Sequence, residues 1–161
     1  MKTLLAFVVA VLFCTCLKAV DIDCDFSGKL PAGLSMSGTV QQENGVSVMV
    51  NDSKYVVGIL GFTGEEGAGG ILTLAIATTG DVPSKLGIIL YQKEKGGKLN
   101  RLATPAWLKT IPKDEYTEMT FTVKEGTFKA DANYEFYFYR ANQKGVLKVK
   151  HLSFKTIAPA K

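Results

Sequence analysis

Short stretches of apolar, aromatic and β-branched residues recur about every dozen positions in this chain, each closed by Gly, Pro, Asn or Asp. That rhythm belongs to short strands joined by tight turns, and it constrains the fold more than any single motif does. The stretches cover 46–50, 55–62, 71–79, 86–93, 116–124, 134–140 and 146–154. Beyond the first residues, no longer segment keeps a 3.6-residue apolar period free of Gly and β-branched residues, so no substantial helix is expected. The spacing predicts an all-β fold, an antiparallel two-sheet β-sandwich.

Alternation along the strands separates an inner from an outer face, because successive side chains point to opposite sides of a sheet. Leu72, Leu74 and Ile76 are expected inward, with Met119, Phe121 and Val123. Turn residues sit between the strands at Asn44-Gly45, Gly80-Asp81, Gly96-Gly97, Glu125-Gly126 and Lys144-Gly145. Two regions read as irregular: the glycine-rich loop 64–70, expected to be the most flexible, and the long connection 94–115.

The first residues read differently. Lys2 is followed by an uncharged, largely apolar run to Leu17 and then by Lys18-Ala19, which is the pattern of a signal peptide. Cleavage is expected after Ala19, giving a leader at 1–19 and one β-sandwich domain at 20–161. The run is too short for a bilayer core of about 30 Å, which needs about 20 apolar residues. No membrane span is expected, and the mature protein should be secreted or periplasmic. Phe13 and Thr15 stand before Cys14 and Cys16, where a lipidation motif wants a small residue, so no lipid anchor is expected either.

Losing Lys2 and Lys18 but no acid lowers the formal charge from +4 to +2, so no basic nucleic-acid face is implied. It also leaves Cys24 alone of three cysteines, so no internal disulfide can brace the fold. Cys24 reads as a free thiol near a mobile chain end, the alternative being an intermolecular disulfide. At about 140 residues the domain is long enough to rely on a hydrophobic core instead.

The segments GLSMSG at 33–38, NGVSVMV at 44–50, ILTLAIA at 71–77, KLGIILYQ at 85–92, EYTEMTF at 115–121 and GVLKVKHLSF at 145–154 resemble, in that order, the jelly-roll carbohydrate-binding modules of the galactose-binding-like superfamily. The resemblance covers most of the mature chain. It implies two face-to-face antiparallel sheets and a sugar bound on a concave sheet face or in loops at one end. The closing strand carries Lys150 and His151 where such modules often have acids that help hold a structural calcium, which leaves calcium open. The Glu-x-Asp-x-x-Glu motif of jelly-roll glucanases is missing.

The candidate binding residues are aromatic and polar. In YEFYFYR at 134–140, Phe136 and Phe138 are assigned to the core, because phenylalanine has no polar handle and a tyrosine hydroxyl wants a partner. Tyr137 and Tyr139 then face out as a flat platform with hydroxyl edges, suited to a sugar ring. The competing reading is that loops or a partner subunit bury both faces. Trp107, in the irregular 103–109 segment, is either a stacking wall or a loop anchor. Tyr91, Gln92 and Arg101 lie near the same connection and supply donors and acceptors.

Chemical conversion finds little to work with. His151 is the only histidine, so neither a His-based metal cluster nor a catalytic triad can be assembled, and it is expected at a bulge in the last strand. Paired-carboxylate hydrolysis needs acids about 5–10 Å apart on a fixed frame. Asp21, Asp23 and Asp25 alternate but sit at the expected mobile end, and Glu65-Glu66 and Asp114-Glu115 diverge when extended. The segment Gly96-Gly97-Lys98 lacks the rest of a phosphate loop, and Asn51-Asp52-Ser53 is a glycosylation sequon in a eukaryotic context only. No catalytic residue, metal or cofactor is expected. The sequence thus predicts a secreted, non-catalytic glycan-binding module, the alternative being a structural or assembly protein whose aromatic sheet face contacts a subunit or envelope partner, so that an oligomer stays open.

Overall fold

A computed structural model describes residues 20–52, 55–80, 85–102, 107–140 and 145–159, with the side chains of 107 and 108 excepted. The expected leader at 1–19 and Ser53 of the sequon lie outside the described residues.

Among the described residues there are twelve strands and no helix. In chain order they are β1 (Asp21–Cys24), β2 (Leu34–Met36), β3 (Thr39–Glu43), β4 (Val46–Asn51), β5 (Val56–Thr63) and β6 (Gly69–Thr79). The second half contributes β7 (Lys85–Lys93), β8 (Leu99–Arg101), β9 (Trp107–Thr110), β10 (Thr117–Val123), β11 (Asn133–Arg140) and β12 (Val146–Ile157). One sheet runs β10-β6-β12-β4-β3 with β1 beside β12; the other runs β2-β5-β11-β7-β8 with β9 beside β7. All strand pairs are antiparallel. The fold is a β-sandwich jelly roll.

All seven stretches picked out by the sequence are strands, and the alternation holds. Leu72, Leu74, Ile76, Met119, Phe121 and Val123 are buried between the sheets, as are Phe136 and Phe138. Aromatic rings bridge the layers. Phe154 of the first sheet lies 4.6 Å, centroid to centroid, from Phe62 and 5.2 Å from Phe136 of the second, and Phe121 meets Phe136 edge-on at 5.7 Å. Such pairs add about 0.5–1.5 kcal/mol each beyond the area they bury.

At one end of this core Arg140 is fully buried. Its Nη1 donates to the carbonyl and the side-chain oxygen of Asn51, both at 3.2 Å, and its Nη2 donates to the Gly145 carbonyl at 2.6 Å. Asn51 in turn donates to the Ser37 carbonyl at 2.9 Å. One guanidinium therefore joins the end of β11 to the end of β4 and the approach to β12.

Three expectations are corrected. Residues 21–24 are not a mobile end: they form β1, paired with Leu152 through Lys155 of β12. Cys24 is consequently a buried thiol, 6% exposed, and burial raises its pKa. The adjoining acids are engaged singly, Asp21 with Lys155 at 3.8 Å, Asp23 with His151, and Asp25 with the amide and hydroxyl of Ser27. Loop 64–70 is pinned, since Gly67 N–H donates to the Phe128 carbonyl at 3.0 Å, Gly126 N–H donates to Gly67 at 2.7 Å, and Ala68 is fully buried. The connection 94–115 is not wholly irregular, because it holds the edge strands β8 and β9. His151 does follow a bulge, where the register of β12 on β6 shifts between Val149 and His151.

Candidate ligand-binding face

A sandwich offers two outer faces, and here they differ. On the first sheet, Glu43 accepts hydrogen bonds from the Tyr116 hydroxyl, at 3.1 Å, and from Lys148, while the Lys150 ammonium stands 5.8 Å from the centre of the Tyr116 ring. Val48 and Val50, on the side of β4 away from the core, are nonetheless buried. The rest of this face is polar and exposed, with Glu118, Thr120 and Thr122 of β10 and Lys150 of β12 in solvent.

The cluster has a measurable electrostatic signature. Lys148 beside Glu43 holds its carboxyl below the usual range, and burial with the Glu43 contact pushes the Tyr116 phenol up to about 12. A lowered carboxyl pKa adds stability above the unfolded value, about 4.3, that is lost as pH falls through the folded value. Stability should therefore decline as pH drops below about 4.3, and Lys148→Met should flatten that decline. An unfolding titration in which wild type and variant keep the same slope would refute the pairing.

The outer face of the second sheet is aromatic instead, its tyrosines half-buried. Cross-strand register places Tyr137 between Ile59 of β5 and Ile89 of β7, and Glu135 between Gly61 and Tyr91; Tyr91 in turn faces Arg101 of β8. The Tyr91 and Tyr137 rings meet edge-to-face at 5.2 Å, and Tyr55 lies 5.7 Å from Tyr139. Tyr139 pairs with Gly87, and its ring occupies the space a Cβ there would need. A glycine inside a strand marks such a close approach. Lys93 Nζ reaches Glu135 at 2.7 Å, and burial, with the Glu135 carboxylate next, raises the Tyr137 phenol above its usual range.

Four of the six residues singled out from the sequence, Tyr91, Arg101, Tyr137 and Tyr139, thus share one face. Gln92 does not join them. As the neighbour of Tyr91 on a strand it points away from that face, and it lines a cleft of about 390 Å³ at the end of the sandwich with Lys95, Lys129 and Asn133. Trp107 is not in an irregular segment but opens β9, its backbone paired with Ile88; its side chain lies outside the described residues. Sequence reasoning missed Tyr55, Ile59, Ile89, Lys93 and Glu135, and the glycines Gly61 and Gly87. The two glycines carried a signal, since each interrupts an otherwise apolar strand.

No family model matches the chain, and no curated protein matches its sequence. Solved structures do. A xylan-binding module of family 15 superposes with a TM-score of 0.55 at 14% identity, over 88% of this chain and 99% of that one. A family 35 carbohydrate-binding module from Cellvibrio japonicus gives 0.57 at 12% identity, over 88% and 99%. This chain has the fold of a carbohydrate-binding module. A xylan-binding family 22 domain from Paenibacillus barcinonensis gives 0.52 at 11% identity, over 86% and 95%. What the likeness carries is the fold, a two-sheet antiparallel sandwich, matched over nearly the full length of each module. Among the described residues no group of three His, Cys, Asp or Glu side chains comes together as a metal site, and no helix is long and apolar enough to cross a membrane.

Proposed function

We propose that this chain is a secreted, non-catalytic module that binds a glycan on the outer face of the β2-β5-β11-β7-β8 sheet. The observation that carries the proposal is the assembly of Tyr91, Tyr137 and Tyr139, with Tyr55, on one outer sheet face. The flat ring faces match the apolar C–H faces of a pyranose, while phenol hydroxyls, Glu135, Lys93 and Arg101 offer donors and acceptors to its hydroxyl edges. Pockets that combine apolar walls with a few fixed polar groups suit such ligands. The fold shared with xylan-binding modules supports the same ligand class.

The test is retention of residues 20–161 on soluble and insoluble polysaccharides, xylan included, with light scattering and a reducing-sugar assay in parallel. Saturable binding by a monomer, with no sugar released, is the expected result. A stable oligomer that binds no glycan would transfer the tyrosine face to a subunit contact, and released sugar would make the protein an enzyme.

A further inference from the structure

Five glycines lie inside strands of the described residues, at 58, 61, 69, 70 and 87. Four have no room for a side chain. A Cβ on Gly58 would press on Met36 and the Ser35 carbonyl, on Gly69 the Val123 carbonyl and the Glu125 amide, on Gly70 the Phe154 ring, and on Gly87 the Tyr139 ring. Gly61 is the exception. Its φ is not in the left-handed region, and a Cβ there would meet nothing nearer than the Gly33 carbonyl oxygen at 3.8 Å and Glu135 Cγ at 3.9 Å. Neither packing nor backbone conformation requires a glycine, and glycine inside a strand is unfavourable because the unfolded chain gains freedom.

What the missing side chain does is leave space. Gly61 lines a cleft of about 440 Å³ with Gly33, Ile59, Lys93, Asn133 and Glu135, a volume within the 300–1,000 Å³ typical of small-ligand sites. The cleft continues the tyrosine face. Along the outer side of β11 the residues run Tyr139, Tyr137, Glu135, Asn133, a track of about 20 Å at about 3.3 Å per residue. Beyond it lies the 390 Å³ cleft, which shares Lys93 and Asn133 with the first.

We propose that Gly61 is a specificity-determining residue, which keeps this cleft open as a second subsite for the part of an extended, linear glycan that runs past the tyrosines. The proposal rests on the glycan-binding reading and adds to it a direction, along β11, and a chemistry, stacking at one end and hydrogen bonding to Glu135, Lys93 and Asn133 at the other. A side chain at position 61 would stand where a sugar ring must lie.

The experiment titrates wild type, Gly61→Ala and Gly61→Leu with β-1,4-linked xylose and glucose oligomers, from disaccharide to hexasaccharide, and records the melting temperature of each. Wild-type affinity should rise with chain length. Gly61→Leu should lose about tenfold or more on the longest oligomers and little on the disaccharide, and Gly61→Ala should melt no lower than wild type. Equal affinity of Gly61→Leu and wild type at every length would overturn the subsite, as would a loss uniform from the disaccharide upward or a wild type indifferent to length. A wild type that binds none of these oligomers and no polysaccharide would instead remove the glycan reading, and the subsite with it.

Discussion

Arg140→Ala is expected to lose about 3–5 kcal/mol of folding stability, the largest effect of any single substitution considered for this fold. The side chain is fully buried and donates to three oxygens, two on Asn51 and one on Gly145. Truncation strands these acceptors away from water at about 1–3 kcal/mol for each unsatisfied group, and it opens a cavity. Arg140→Met separates the two contributions: it fills most of the volume and restores no hydrogen bond. Urea unfolding should therefore rank wild type above Arg140→Met and Arg140→Met above Arg140→Ala. A loss below about 1 kcal/mol for alanine would mean that the guanidinium does not tie the sheets together.

The largest effect on binding is expected from removing Tyr137 and Tyr139 together. If they form the centre of the ligand face, their loss should weaken glycan affinity by about thirtyfold or more, the scale of about 2 kcal/mol that marks an interface hot spot. Their rings lie outside the core, so near-native unfolding is the accompanying expectation. Gly87→Ala offers an independent route to the same end, because the new methyl group displaces the Tyr139 ring from its seat on β7 without deleting it. It should reproduce part of the loss. A double variant that unfolds would return the two tyrosines to a packing role, and one that folds and binds as wild type does would move the ligand off this face.

The long strands were legible because each carries enough alternating apolar residues to declare both its existence and its faces; β11 gave its tyrosine side directly from the order Tyr134-Glu135-Phe136-Tyr137-Phe138-Tyr139. The edge strands were not. The sequence Thr39-Val40-Gln41-Gln42-Glu43 of β3 faces solvent along most of its length, and β2 and β8 have three residues each, too few for a period to show. β1 was missed for a different reason: a leader boundary suggests a loose end, and only its remote partner β12 holds it in place. Gln92 was grouped with Tyr91 by closeness in sequence, which on a strand places two side chains on opposite faces. Positions such as Gly61 and Tyr55 become part of a site only when register aligns different strands, and register is a property of the whole sheet.

The position of β12 bears on how the molecule comes to exist. It is the last strand of the described residues, yet it sits in the middle of its sheet, paired with β6 along its length on one side and with β4 and β1 on the other. Until residues 146–157 arrive, the β3-β4 hairpin and the β6-β10 pair have no strand between them, and β1 is more than a hundred residues from the strand it pairs with. Assembly dominated by such distant pairings is slow. A fragment that lacks residues 146–157 therefore cannot close this sheet, however much of the rest of the chain is present.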